Sequence, residues 1–363
     1  MPAWSEAEVR IGARWLSRHG SLLSSHGPRT DPVALRWLPF MPAKRRLVIE
    51  DVEALEQTWV LAVELVAEGV AWGADAGLQR LHISLPEAVP IPPATGGGKG
   101  PPPPEEPAAD IRAWLAAARP EGSPEREMQA YLDSDLARFL MSVQLVRGRA
   151  LGRTLEIGAG PYYITRLLER FGRPASLTLT NYFGAPGTVV QTLVDAHGAT
   201  VARYGSDLVD VETTPLPYGD ESFDTVLFCE VIEHLIVDPV FALSEIHRVL
   251  ADDGQFLLTT PNVARAVNAR RLDQGMGIYD PYSRYGPHGR HNREYSGTEL
   301  FEILEGSGLA IRRYLTRPVH SVREPDANWF AAADDQGDGD YHFVLCGRAT
   351  RPDAVPRPSW LYR

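Results

Sequence analysis

Three ionisable side chains sit close together in an apolar run from Phe228 to Leu235, FCEVIEHL: Glu230, Glu233 and His234. An ionisable group near a core costs free energy unless it is paired, hydrogen-bonded or bound to a metal. Residues three and four apart share one side of a helical turn, so a turn begun at Glu230 gathers all three. Two carboxylates held together repel unless a cation or a proton lies between them. An imidazole beside them completes a donor set for a divalent ion. Further along, YGPHGRHNREYSGTEL adds His288 and His291 ahead of an expected helix. Glu233 and His234 alone would serve equally as a helix cap or a cofactor contact. Glu230 and the distant histidine turn the reading towards a metal.

A second chemical feature lies in LEIGAGPYYITRLL, where Gly158 and Gly160 fall at an expected strand-to-helix turn and Glu156 stands two residues before the first glycine. Glycine lets the backbone approach a ligand closely and take positive φ without penalty. A G-x-G pair is also what any tight turn of this kind uses. A dinucleotide fingerprint would place a third glycine where Tyr163 stands, and that bulk argues against a pyrophosphate on the helix start.

The elements that position these residues read as strands alternating with helices from Arg153 onward. The expected strands are RTLEIGA, ASLTLTN, TVARYG, FDTVLFCE, QFLLTTPN, AIRRYLTR and YHFVLCGR, and the helices between them include YITRLLERFG, TVVQTLVDAHG, VFALSEIHRVLADDG and SGTELFEILEGSG. This alternation implies an α/β fold, a Rossmann-like, seven-stranded, mostly parallel sheet with helices on both faces. Ligands on such sheets bind at the carboxyl ends of the strands near the topological switch point.

Upstream, VPIPPATGGGKGPPPPEEPAAD, Val89 to Asp110, is too rich in proline and glycine for a packed element and reads as a linker or mobile loop. Before it, residues 1–88 carry no chemical motif. Apolar residues at helical spacing predict a helix across IEDVEALEQTWVLAVELVAEGV from Ile49, and Glu64, Glu68 and Asp75 in the window from Thr58 make it a soluble helix rather than a membrane span. Residues 111–150 read as a helical lead-in, with Ser123 as N-cap and Pro124 at the first helical position of its second helix. The alternating domain runs over 151–350, and 351–363 is a tail.

Composition narrows the function classes. With 363 residues, 44% apolar and 23% charged, the chain reads as globular. A net charge of −11 disfavours nucleic acid and anionic membranes as partners. Two cysteines, Cys229 and Cys346, are too few for a disulfide framework or a thiolate zinc site, and a reducing cytoplasm fits. The opening MPAWSEAEVR has no basic region followed by an apolar run, so no secretory signal is expected.

In order and spacing, PLPYGDESFDTVLFCEVIEHL, EIHRVLADDGQFLLTTPN and HNREYSGTELFEILEGSGLAI, with the glycine turn before them, resemble class I S-adenosylmethionine-dependent methyltransferases from about Leu151 to Gly347. The resemblance implies that Glu156, Gly158, Ala159 and Gly160 meet the amino-acid part of S-adenosylmethionine. It places Asn181 where the family usually has an acidic residue for the ribose, implies Asp210 with Val211 (Asp207 being the alternative) at the adenine, and leaves Cys229 at the end of the fourth strand among the cofactor contacts. The E-x-x-E-H segment and HNREY are similar to metal-dependent O-methyltransferases, notably the small-RNA terminal 2′-O-methyltransferases and the ubiquinone-pathway enzymes. That similarity implies Glu230, Glu233, His234 and His291 as ligands of magnesium, manganese or iron, with His288 as the alternative to His291. His234 or His291 is the candidate general base.

Two adjacent oxygens on such an ion imply a vicinal diol or catechol, and the acidic chain turns the expectation to a saccharide or glycosylated small molecule. The stretch Gly277 to His291, GIYDPYSRYGPHGRH, reads as a substrate-binding loop over the site. Two other readings remain: a metal-independent small-molecule methyltransferase, and a cofactor-binding scaffold without catalysis.

Overall fold

The computed structural model describes residues 101–284, 286–331, 339–351 and 355–362, together with strand backbone at 9–16, 22–24, 60–67, 71–72 and 81–84. The chain divides into two compact units, Met1–Pro90 and Ile91–Arg363.

In the first unit, β1 (Val9–Leu16), β2 (Leu22–Ser24), β3 (Val60–Ala67), β4 (Ala71–Trp72) and β5 (Leu81–Ser84) form an antiparallel sheet around β3. The helix expected from Ile49 is therefore overturned over its second half: VLAVELVA pairs along its whole length with β1, Val60 opposite Leu16 and Ala67 opposite Val9. A dense apolar run satisfies a helical pattern and a buried strand alike, and pairing decided for the strand. The first half of that expected helix lies outside the described residues.

The second unit is built on nine strands: β6 (Arg119–Pro120), β7 (Arg153–Ile157), β8 (Ser176–Asn181), β9 (Gly187–Val194), β10 (Thr200–Leu208), β11 (Phe223–Cys229), β12 (Leu250–Pro261), β13 (Leu309–Arg317) and β14 (Tyr341–Arg348). Their order is β13-β14-β12-β11-β7-β8-β10-β9-β6. The five central strands, β12 to β10, run parallel, and β14, β13 and β9 pair antiparallel.

Seven of the nine are the strands the sequence predicts. The count is corrected to nine because TVVQTLVDAHG is not a helix. Its Val-rich and Thr-rich first part is β9, which folds back on β10 through Asp195, whose carboxylate accepts from His197 N and Ala199 N at 2.8 and 2.9 Å. The two-residue β6 then adds to β9 at that edge.

Helices cover both faces. On one, α1 (Ala108–Ala116), α2 (Glu125–Val146) and α3 (Tyr163–Leu167, continued by a π turn to Gly172) pack Ile111, Leu136, Leu140 and Leu167 against Leu227 and Leu257. On the other, α4 (Pro239–Val249) and α6 (Gly297–Gly306) pack Leu243, Ile246 and Leu304 against Val226, Phe228 and Phe256. Neighbouring residues of β11 and β12 thus face opposite cores, which is why these strands read as unbroken apolar runs. Among the described residues α5 (Ala266–Asp273) and α7 (Ala327–Ala331) complete the helices, and no helix is long and apolar enough to cross a membrane.

Two local expectations change. The N-cap of α2 is Pro124, and Ser123 turns its hydroxyl to Pro120 O at 2.6 Å instead. The proline-rich segment is described from residue 101. Its end opens α1, and Glu105 and Glu106 pair with Arg147 and Arg170, so this part is held against the unit; residues 91–100 lie outside the described residues.

Candidate functional site

The parallel strands begin at β7 and run outward on both sides, with β8 and β10 to one side and β11 and β12 to the other. The switch point therefore lies at the carboxyl end of β7, where the glycine turn emerges, beside the end of β11 that carries Glu230. A cavity of about 450 Å³ opens there. Gly158, Gly160, Asn181, Asp210, Val211, Glu230 and His234 all line it, with Tyr182, Phe183 and His288. Five of the eight sequence-predicted cofactor residues, Gly158, Gly160, Asn181, Asp210 and Val211, are thus brought to one cavity.

Gly158 has φ +77°, and a Cβ there would stand 2.5 Å from Val231 Cγ2. Only glycine lets this turn pass beneath the chain that follows β11. Asn181 lines the cavity with its amide already engaged: Oδ1 accepts from Gly160 N at 3.0 Å, and Nδ2 donates to the Tyr162 and Ser206 hydroxyls at 3.3 and 3.2 Å. It pins the glycine turn. Asp210 accepts from Glu212 N at 3.1 Å. Tyr163 is packed into the α2 face and donates to Met128 O.

Behind the turn, a gap of about 20 Å³ is lined by Glu156, Ala159, Cys229 and Arg138. Glu156 is buried, accepts from Thr165 Oγ1 at 2.7 Å, and is pushed up to about 8 by burial. Burial likewise pushes the Cys229 thiol up to about 12, which leaves it an inert thiol.

The acidic run does not gather as one group. Glu230 takes φ +55°, and its carboxylate turns to Thr259 Oγ1 at 3.0 Å and towards Arg138 Nε at 3.9 Å. Burial, opposed by Arg138, pushes it up to about 8. Ile232–His234 form a single 3-10 turn instead of a longer helix. That turn brings together Glu233, His234 and, from the segment before α6, His291; their ligand atoms lie within 4.8 Å of one another. His288 stays apart, edge-on to Tyr182 at 5.6 Å.

Glu233 is fully buried; its Oε2 accepts from Thr260 Oγ1 at 2.9 Å, while Oε1 has no hydrogen-bond partner and lies 3.9 Å from His234 Nε2. Burial pushes its carboxyl up to about 7. His234 Nδ1 donates to Arg290 O at 2.9 Å, which leaves Nε2 with the lone pair, and burial with His291 nearby pulls its pKa down to about 4. His291 Nδ1 lies 3.1 Å from Glu294 Oε1, so its Nε2 is also the free end. Burial lowers its basicity, but the Glu294 hydrogen bond and Asp280 more than offset that, and its pKa is raised. Glu294, despite burial, is held down at about 2 by His291 and by Arg265, which grips both its oxygens.

A buried carboxylate oxygen without a partner, 3.9 Å from one imidazole nitrogen and with a second imidazole within ligand reach, fits a divalent cation. The donor set, one oxygen and two nitrogens, suits manganese or iron better than magnesium.

Several residues here escaped the sequence reading. Glu212 accepts from Ile236 N, Val237 N and Asp238 N and so fixes the loop between the His234 turn and α4. Arg138 lies on α2; an arginine inside the apolar run RFLMSV was the available signal. Nothing in the sequence singled out Glu212; Asp280, which accepts from His291 N at 3.1 Å, lies within the expected substrate-binding loop but was not marked individually.

Residues 155–258, from β7 through the second half of β12, match the model of a family described as the methyltransferase domain. This segment is a methyltransferase domain. No curated protein matches it. Among solved structures it is similar to a Thermotoga maritima S-adenosylmethionine-dependent methyltransferase described as a possible histamine N-methyltransferase, at 18% identity over 61% of this chain and 95% of that one with a TM-score of 0.40. It is similar to the Burkholderia thailandensis 1,6-didemethyltoxoflavin-N1-methyltransferase at 17% identity, 68% and 94% coverage and a TM-score of 0.37. A TehB-like methyltransferase from Corynebacterium glutamicum gives 15%, 57% and 86%, and 0.34.

Proposed function

We propose that this methyltransferase is a metal-assisted O-methyltransferase that methylates one hydroxyl of a vicinal diol on a sugar or glycosylated small molecule. The observation that carries the reading is Glu233 Oε1, buried without a partner 3.9 Å from His234 Nε2, with a ligand atom of His291 within 4.8 Å of theirs. In this reading those three residues hold the ion, and Glu230, paired with Arg138, faces the methyl donor from the donor cavity.

S-adenosylmethionine fits the cavity at the glycine turn: Gly158 allows close backbone approach, Glu156 stands behind the turn for the ammonium group, and Asp210 with Val211 lines the adenine end. A bound divalent ion supplies Lewis acidity, lowering the pKa of the acceptor hydroxyl and aiming its oxygen. The rest falls to the protein. Glu230 and His234 form the wall where the cavity meets the metal-binding cluster, and Leu235 and Val231 narrow the space for water. In the transfer, the acceptor hydroxyl gives up its proton to solvent, its oxygen bonds to the methyl carbon as the carbon–sulfur bond breaks, and S-adenosylhomocysteine leaves.

One observation favours a metal-free variant: His291, oriented by Glu294 and raised in basicity, has the arrangement of a general base with its orienting carboxylate. It would take the hydroxyl proton at Nε2. Chelation separates the two readings. Loss of transfer with cofactor affinity retained supports the metal, and full turnover by metal-free enzyme overturns it.

Within this reading residues 151–350 are the catalytic domain and 111–150 its helical lead-in, with 1–88 a separate unit joined through 89–110 and 351–363 a tail. The two free, buried cysteines support a reducing, cytoplasmic setting.

A further inference from the structure

On the far side of the histidine pair lies a second cavity, of about 250 Å³, whose walls include Tyr279, Asp280, His291, Arg293, Glu294 and Glu299. We propose that it is the acceptor subsite and that it selects an uncharged, hydroxylated ring, a sugar, over an anionic acceptor. The inference rests on the O-methyltransferase reading and adds where the acceptor sits and what chemistry admits it.

Placement is the first argument. His234 walls the donor cavity and His291 walls this one, and their rings meet edge to face with centroids 5.0 Å apart. An acceptor held in the second cavity therefore needs to pass only the histidine pair to present a hydroxyl to the donor.

The second argument is an unused donor. Arg293 Nε is buried with no hydrogen-bond partner, although Nη2 of the same guanidinium donates to Glu299 at 2.7 Å. Arg293 walls the cavity with its guanidinium over the Tyr295 and Trp360 rings, so an acceptor brought by a ligand would complete its hydrogen bonding. Because Glu299 already neutralises the guanidinium, the matching group is a hydroxyl or ring oxygen rather than a phosphate or carboxylate.

Charge points the same way. Asp280, Glu294 and Glu299 face the cavity against Arg293 and His291, and Arg265 is spent on Glu294. A cleft lined by carboxylates repels anions and accepts hydrogen bonds from hydroxyls. Tyr279, 84% exposed, adds an aromatic face for the apolar side of a ring.

The test uses full-length protein loaded with manganese and S-adenosylhomocysteine or labelled S-adenosylmethionine. The probes are methyl glycosides of common hexoses and 6-deoxyhexoses, with catechol as the aromatic diol and glucuronic acid as the anionic sugar. Ligand-observed NMR and label transfer are the readouts. At least one neutral glycoside is expected to bind and accept methyl, with glucuronic acid much weaker. Tyr279→Ala and Asp280→Asn should each raise the glycoside KM roughly tenfold, about one logarithmic unit of affinity, with S-adenosylhomocysteine affinity unchanged. Protein that binds S-adenosylhomocysteine yet takes none of the glycosides overturns the sugar assignment, as does preference for catechol or glucuronic acid. Glycoside turnover with KM unmoved in both variants overturns the cavity assignment. Transfer to a glycoside that survives chelation would instead sink the metal reading and leave this one standing.

Discussion

Glu233 Oε1 and His234 Nε2 face each other at 3.9 Å, too far for a hydrogen bond, with the carboxylate oxygen buried and otherwise unpartnered. A gap of this kind between two lone-pair donors is the room an ion needs. Glu233→Gln should therefore abolish manganese binding by calorimetry, leave S-adenosylhomocysteine affinity intact, and raise the melting temperature of metal-free protein, since a buried, unpaired carboxyl is removed. Glu230→Gln should keep the metal. Manganese affinity retained in the first variant, or lost in the second, would overturn the three-ligand assignment.

Glu294 acts through His291. Held by Arg265 and Asn268, it fixes the imidazole so that Nε2 is the end left for the cluster. Partners of this kind are worth about 10- to 100-fold in metal affinity or activity when removed. Glu294→Ala should reach that range in manganese affinity and in kcat with S-adenosylhomocysteine binding unchanged. A loss confined to thermal stability would make Glu294 merely structural.

Gly158→Val should eliminate donor binding. Its positive φ strains any side chain, and a Cβ would collide with Val231. Calorimetry with S-adenosylhomocysteine decides this, with circular dichroism to show that the sheet survives. Unchanged affinity would remove the turn from the cofactor site.

Much of this was legible in the sequence where local pattern and tertiary pairing agree. FDTVLFCE and QFLLTTPN read as buried strands because both of their faces are buried, and the glycine turn announced the cavity. Reading failed where pairing decides. VLAVELVA and TVVQTLV read as helices, one from apolar residues at helical spacing and one from its place between two expected strands; each instead found an antiparallel partner. The candidate metal cluster was expected as Glu230, Glu233 and His234 on one helical turn, joined by His291 from the distant segment. The chain shortens that turn to Ile232–His234 and takes positive φ at Glu230, which sends its side chain to Thr259 and Arg138, and no spacing rule carries that information.

The final prediction concerns protons at Glu156. Its carboxyl is buried, bonded to Thr165, and raised from 4.5 to about 8. The native state then holds a proton that the unfolded chain has released, so this group costs nothing below about pH 4.5 and destabilises the ligand-free protein increasingly as pH rises towards 8. The total is on the order of a few kcal/mol. Glu156→Gln should flatten that fall, seen as a smaller loss of unfolding free energy in urea titrations between pH 5 and pH 8 by roughly that amount. Binding adds a second signature. The ammonium group of the cofactor, placed behind the glycine turn, favours the ionised carboxylate, so S-adenosylhomocysteine should expel a proton at pH 7 from wild type and none from the glutamine variant. Calorimetry in buffers of different ionisation enthalpy counts that proton. A wild-type count of zero, with binding intact, would take Glu156 out of contact with the ammonium group.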